Sequence, residues 1–283
     1  MIALFLRQLL IEVRKSVFSL VFVVCVIFVV LMCMCTEVYR DAGSDRAYSV
    51  IECIMKNDRK LIRSDHSFAA EMIFPMLLGS QYARISVPLL SSLPFLAVYS
   101  EELKGTFYRY ELCRSTKLRT VLSRFAGCMI SGGAVMLAGV LIYAAVVFSV
   151  FPGIASYGLD EELASMLIKD KTSVTVCRQA AGYTVYGAFS AVLPMVIFEV
   201  FRNVSVTASL TFMLTYIYYI ILNKLAFRAD FNEKYGWLSP HAIVSVFAAG
   251  KADAKVILLN ISFTLLCFLA LYIYKTRKSD ISE

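Results

Sequence analysis

From Phe125 to Phe151 the chain runs for 27 residues without one Asp, Glu, Lys, Arg or His. At about 1.5 Å of rise per helical residue, that run exceeds the roughly 30 Å of hydrocarbon in a bilayer and leaves length for tilt. The rest of the chain cannot solvate such a segment inside a water-soluble core, because 59% of residues are apolar, 17% are charged and the mean hydropathy is +0.70. The sequence therefore predicts an all-α membrane protein, with residues 1–283 forming a single transmembrane domain.

Six apolar runs have the length of a span: Val17 to Cys35, Ser80 to Tyr99, Phe125 to Phe151, Gly182 to Phe201, Val204 to Leu222 and Val256 to Tyr274. The second contains Arg84, Pro88 and Pro94, so it stands as a helix only where neighbours satisfy the carbonyls its prolines free. In the third, Gly127, Ser131, Val135 and Gly139, with Gly132 and Gly133 beside them, form a small-residue face suited to close helix approach.

Orientation follows from the basic residues. One set of connections, with both termini, carries 13 Lys and Arg beside 7 carboxylates; the other carries 14 of each over roughly twice the length. Positive charge concentrated in short loops marks the first set as cytoplasmic. The reading is a multi-pass protein of the cytoplasmic membrane with N- and C-termini inside. Nearly all of the net +7 then lies toward anionic lipid, with no separate signal for nucleic acid.

The densest charge lies between the second and third spans, Glu101 to Arg124, where six residues are Lys or Arg. Leu103, Phe107 and Tyr110 fall on one helical stripe and Glu102 and Arg109 on another side, the pattern of a short amphipathic helix on the inner surface. The first 15 residues show the same pattern, with Ile2, Phe5, Leu6, Leu9, Leu10 and Val13 at helical spacing. They predict an interfacial helix over 1–16, and the apolar run behind it is too long for a cleaved signal peptide.

On the outer side, Thr36 to Gly79 has length for one or two short helices that cap the spans. Pro152 to Ala181, with Asp160-Glu161-Glu162, forms a hairpin. In Asn223 to Lys255 the 8-residue apolar stretch Ala242 to Ala249 is too short to cross and suits a re-entrant element before the last span. Tyr216, Tyr218, Tyr219 and Trp237 predict an outer aromatic belt.

The sequence carries few chemical motifs. There is no Gly-x-x-x-x-Gly-Lys-Ser/Thr loop, so ATP is not bound here through a P-loop, and no Gly-x-Ser-x-Gly elbow. The two histidines, His66 and His241, are unrelated in position and form no zinc helix. Glu101-Glu102 is similar to the paired glutamates of intramembrane prenyl-protein proteases, yet the arginine of that pattern is replaced by Thr106. The eight cysteines show no C-x-x-C pair; Cys53 and Cys177 share the outer side, and a disulfide between them is one open pairing. Met32-Cys33-Met34-Cys35 has soft ligands scattered around a helix end, so no metal site is expected. Arg84 is a candidate contact for an anion at the outer interface, with snorkelling as its alternative reading. Glu199 and Arg202, three apart at an inner turn, are expected to pair.

The order Glu101-Glu102, Gly105-Thr106, an aromatic turn, the basic cluster Arg114 to Arg119 and Leu122-Ser-Arg124 resembles the permeases of ABC type-2 exporters. The resemblance extends over most of the chain, through the N-terminal helix, six spans with both ends inside and the outer element with Pro240 before the last span. It implies a partnership with separate ABC ATPase subunits, which hold the ATP and Mg, and with a second permease copy or paralogue. It assigns coupling to that ATPase to Glu101, Glu102, Gly105, Thr106, Phe107 and Arg109, with Arg124 as the basic residue opening the third span. The chain itself is then no enzyme and holds no cofactor. A non-transporting scaffold or sensor is the alternative class, and an intramembrane hydrolase a weaker one. No polar cluster in the sequence selects a substrate.

Overall fold

A computed structural model of the chain describes residues 2–40, 47–56, 66–104, 116–157, 172–226, 236–239, 241–250 and 253–280. Its helices are α1 Ile2–Val17, α2 Leu20–Met34, α3 Val50–Lys56, α4 Ala70–Ile73, α5 Gln81–Lys104, α6 Lys117–Val150, α7 Thr172–Ser190, α8 Val192–Phe201, α9 Val204–Ala226, α10 Ala242–Ala249 and α11 Ala254–Asp280. Five segments are long and apolar enough to cross a membrane, contributed by α5, α6, α7 with α8, α9 and α11. They become six if α1 and α2, which meet at 63°, count as one bent span. The break between α1 and α2 is made by Ser19, whose hydroxyl accepts from the Phe22 amide at 3.2 Å and caps the new helix.

The small-residue face of α6 makes it the centre of the bundle, packed by α1, α2, α5 and α7. A Cβ on Gly132 would come within 2.9 Å of both the Ala191 Cβ and the Gly187 carbonyl, and one on Gly139 would meet Val29 at 2.5 Å. Close approach on several sides of one helix replaces a water-driven core. By contrast, only 11% of the apolar window of α11 is buried, which puts that helix on the periphery.

The carbonyl that Pro88 frees in α5 is satisfied by a neighbour. Pro88 has no N–H for the Arg84 carbonyl, and the Tyr186 hydroxyl of α7 donates to that oxygen at 3.3 Å. Ser92 donates to the Pro88 carbonyl at 2.9 Å. α6 begins at Lys117, about two turns before the predicted Phe125, because Thr120, Ser123 and Arg124 are buried against neighbours instead of ending the helix in solvent.

Several sequence expectations are corrected. Between Thr36 and Gly79 the chain forms a two-stranded antiparallel hairpin, β1 Glu37–Arg40 with β2 Ala47–Ser49, in addition to short helices. Tyr39 stacks on Phe68 with centroids 4.5 Å apart and pins it down. No disulfide joins Cys53, which is buried, to Cys177, which is exposed. Tyr216 and Tyr218 are exposed as a belt requires, but Tyr219 turns inward because its fourfold spacing places it on the buried side of α9. On α1 the residues facing the protein include Glu12 and Ser16, while Leu4, Leu6, Leu10 and Ile11 are exposed.

Candidate functional site

Six ionisable side chains gather where α1, α5, α6, α8 and α11 meet. Arg124, fully buried in the third turn of α6, lies 3.9 Å from Glu12 of α1 and 3.9 Å from Glu102 of α5. The other carboxylate oxygen of Glu102 accepts from Lys15 of α1 at 2.6 Å. Nearby, Glu199 near the end of α8 accepts from the Tyr99 hydroxyl at 2.5 Å and pairs with Lys275 of α11 at 2.8 Å. The Tyr99 ring joins the two halves, with the Arg124 guanidinium 4.4 Å from its centroid and the Lys275 ammonium 6.0 Å away.

Each of the three carboxylates faces a cation, and that pairing allows them to be buried. An isolated charge in an apolar interior is expelled or neutralised; a compensated group is retained, and it ties together whatever carries it. Gly127, one turn after Arg124, lets α1 approach, since a Cβ there would sit 3.3 Å from the Glu12 Cβ. Tyr99, Phe95, Val121 and Phe198 form the apolar wall around the charges.

Of the residues singled out in the sequence, Glu102 and Arg124 come together in this network. Glu101 is exposed on the last turn of α5. Gly105, Thr106, Phe107 and Arg109 lie outside the described residues. Glu199 does not form the expected local pair with Arg202. α8 ends at Phe201, Arg202 takes a left-handed conformation with φ of 51°, and the Glu199 carboxylate turns inward to Tyr99 and Lys275. Glu12, Lys15, Tyr99 and Lys275 were missed. Glu12 carries the clearest sequence signal, as the one carboxylate in the apolar first helix.

Arg84 lies at the opposite end of the bundle. Its Nε donates to the Leu78 carbonyl at 3.0 Å, holding a turn in which Leu78 itself has φ of 51°. The Tyr183 hydroxyl donates to the neighbouring Leu77 carbonyl at 2.6 Å and lies 3.3 Å from His241 Nε2. Burial pushes His241 down to about 4, with the Arg84 guanidinium adding to the effect, so the imidazole is neutral at neutral pH.

Among the described residues no three His, Cys, Asp or Glu side chains converge on a metal-sized site. The charged end joins α1, α5, α6, α8 and α11 through ion pairs and the Tyr99 ring. Set against protein families, curated proteins and solved structures, the chain matches none.

Proposed function

We propose that this chain is the permease subunit of an ATP-driven exporter of the ABC type-2 kind, acting in the cytoplasmic membrane with a separate ATPase and a second permease copy or paralogue. The carrying observation is the double pairing of Glu102, to Lys15 on one side and toward Arg124 on the other. Glu102 stands in the last turn of α5, at the root of the segment that would seat on the ATPase. Force applied to that segment passes through two ion pairs into α1 and α6, and through the Tyr99 ring to Glu199, Lys275 and the ends of α8 and α11. Coupling is then a discrete repacking of helix ends driven from outside the chain. In this reading α1 lies along the inner interface with Leu6 and Leu10 toward lipid, and α10 is an outer re-entrant element packed on α7 at Gly182.

The test is purification of the tagged chain from its native membrane, followed by ATP hydrolysis. The reading predicts a co-purifying nucleotide hydrolase whose activity falls on charge reversal at Glu101 and Glu102. Retention of no such partner, or indifference to the reversal, supports the scaffold or sensor class instead.

A further inference from the structure

α1 has two faces of different character. Toward the bundle it turns Glu12 and Ser16, both buried, and Lys15, which reaches Glu102. The other face is an exposed arc of about 160° at 100° per helical residue. Arg7 and Arg14 stand at its centre, two turns apart, with Leu6 and Leu10 along one flank and Ile11 and Leu4 along the other. Among the described residues neither arginine forms an ion pair with a carboxylate.

Few surroundings suit such an arc. In water it would leave the four aliphatic side chains 43–66% exposed as one patch. Against a dry protein surface it would bury two guanidinium groups, each in need of a carboxylate opposite. The boundary between lipid tails and headgroups satisfies both parts, because the aliphatic flanks enter the tails while the arginine stems reach back to phosphate. The position of α1 agrees. It meets the wholly apolar α2 at 63° instead of continuing it, and Phe18 and Leu20 at the bend are strongly exposed. That is the attitude of a helix lying in the plane of an interface.

We propose that Arg7 and Arg14 bind the phosphate headgroups of anionic phospholipids, and that headgroup charge thereby sets how firmly α1 seats Glu12 and Lys15 against α6 and α5. Glu12 and Arg7 are carried by one rigid helix, so what holds the outward face also holds the inward one. The inference rests on the interfacial placement of α1 in the reading above. It needs neither the ATPase nor transport, and it fails or holds separately from them.

The test is hydrogen exchange of the full chain, without partners, in nanodiscs of phosphatidylcholine alone or mixed with phosphatidylglycerol. Two arginines at an anionic surface should slow exchange of the α1 amides by about tenfold in the mixed discs and leave α7 unchanged. Arg7→Gln/Arg14→Gln should abolish the difference, and Arg7→Lys/Arg14→Lys should keep it. Indifference of α1 to phosphatidylglycerol overturns the proposal, as does equal slowing of α7 or a difference that survives in the Gln pair. Soluble glycerol phosphate added to phosphatidylcholine discs should not protect α1; equal protection by it overturns the assignment to a bilayer. Protection that follows the number of chains per disc instead of lipid charge gives the face to a second copy and overturns it as well. Where the Gln pair does not fold, the parent chain decides: added salt should erase the α1 difference, and a difference indifferent to salt overturns the proposal.

Discussion

At the α1 end of the bundle, three carboxylates and three cations from five helices are held by charge. At the opposite end, one guanidinium, one imidazole and two phenols hold a turn through bonds to fixed atoms, including the backbone carbonyls of Leu77 and Leu78. The difference is in how each end can move. Glu102 sits between Lys15 and Arg124, and Arg124 between Glu12 and Glu102, so helix ends can shift while every charge keeps a partner. A hydrogen bond to a backbone carbonyl allows no such exchange. The charged end is therefore suited to a switch with two packings, and the Arg84 end to a fixed clamp.

Removing the central cation should break the comparison most severely. Arg124→Met leaves Glu12 and part of Glu102 uncompensated in a buried site, a loss of about 3 to 5 kcal/mol. Thermal unfolding of the purified protein should show it, with partial recovery in the Arg124→Met/Glu102→Gln double variant. Glu199→Gln should come next, at about 2 to 3 kcal/mol, because Lys275 retains some exposure to solvent. Adding Lys275→Met should recover part of that loss, the signature of a coupled pair. At the clamp, Tyr183→Phe removes one neutral donor and should cost about 1 to 2 kcal/mol, below either charge variant; equal losses at the two ends would erase the distinction.

The clamp also carries a pH dependence. His241 faces Tyr183, Tyr186 and Arg84, and its folded value of about 4 lies below the ordinary 6.5. The unfolded chain takes up this proton first, so stability falls as pH drops from about 6.5 toward 4 and is fully present above that window. His241→Asn should flatten the slope of unfolding temperature against pH in that range. The smallest effect on stability is expected at the exposed Glu101: Glu101→Lys should stay within about 0.5 kcal/mol of the parent.

The all-α class, the long apolar helices and the small-residue centre of α6 were legible because bilayer thickness and close helix contact impose length and composition directly. Glu102 and Arg124 were legible as charges flanking apolar runs. Their company was not, because Glu12, Glu199 and Lys275 are brought in by helices distant in sequence, and a local reading paired Glu199 with Arg202 three residues away. The buried stripe of Thr207, Thr211, Thr215 and Tyr219 on α9 escaped for another reason. Threonine and tyrosine pass as ordinary residues in a hydropathy reading, and only burial reveals that they, and not the leucines and phenylalanines, face the protein. The hairpin of β1 and β2 was hidden by its length, since strands of four and three residues leave almost no periodic pattern.

The central proposal is that the Lys15–Glu102 pair carries force between α1 and the segment after α5, which is proposed to seat on an ATPase. Its most direct measurement is ATP hydrolysis by the purified complex carrying Glu102→Lys, compared with the swap Glu102→Lys/Lys15→Glu. The account predicts that single reversal depresses hydrolysis at unchanged complex yield and that the swap restores most of it. Equal activity in the parent, the single variant and the swap would contradict it.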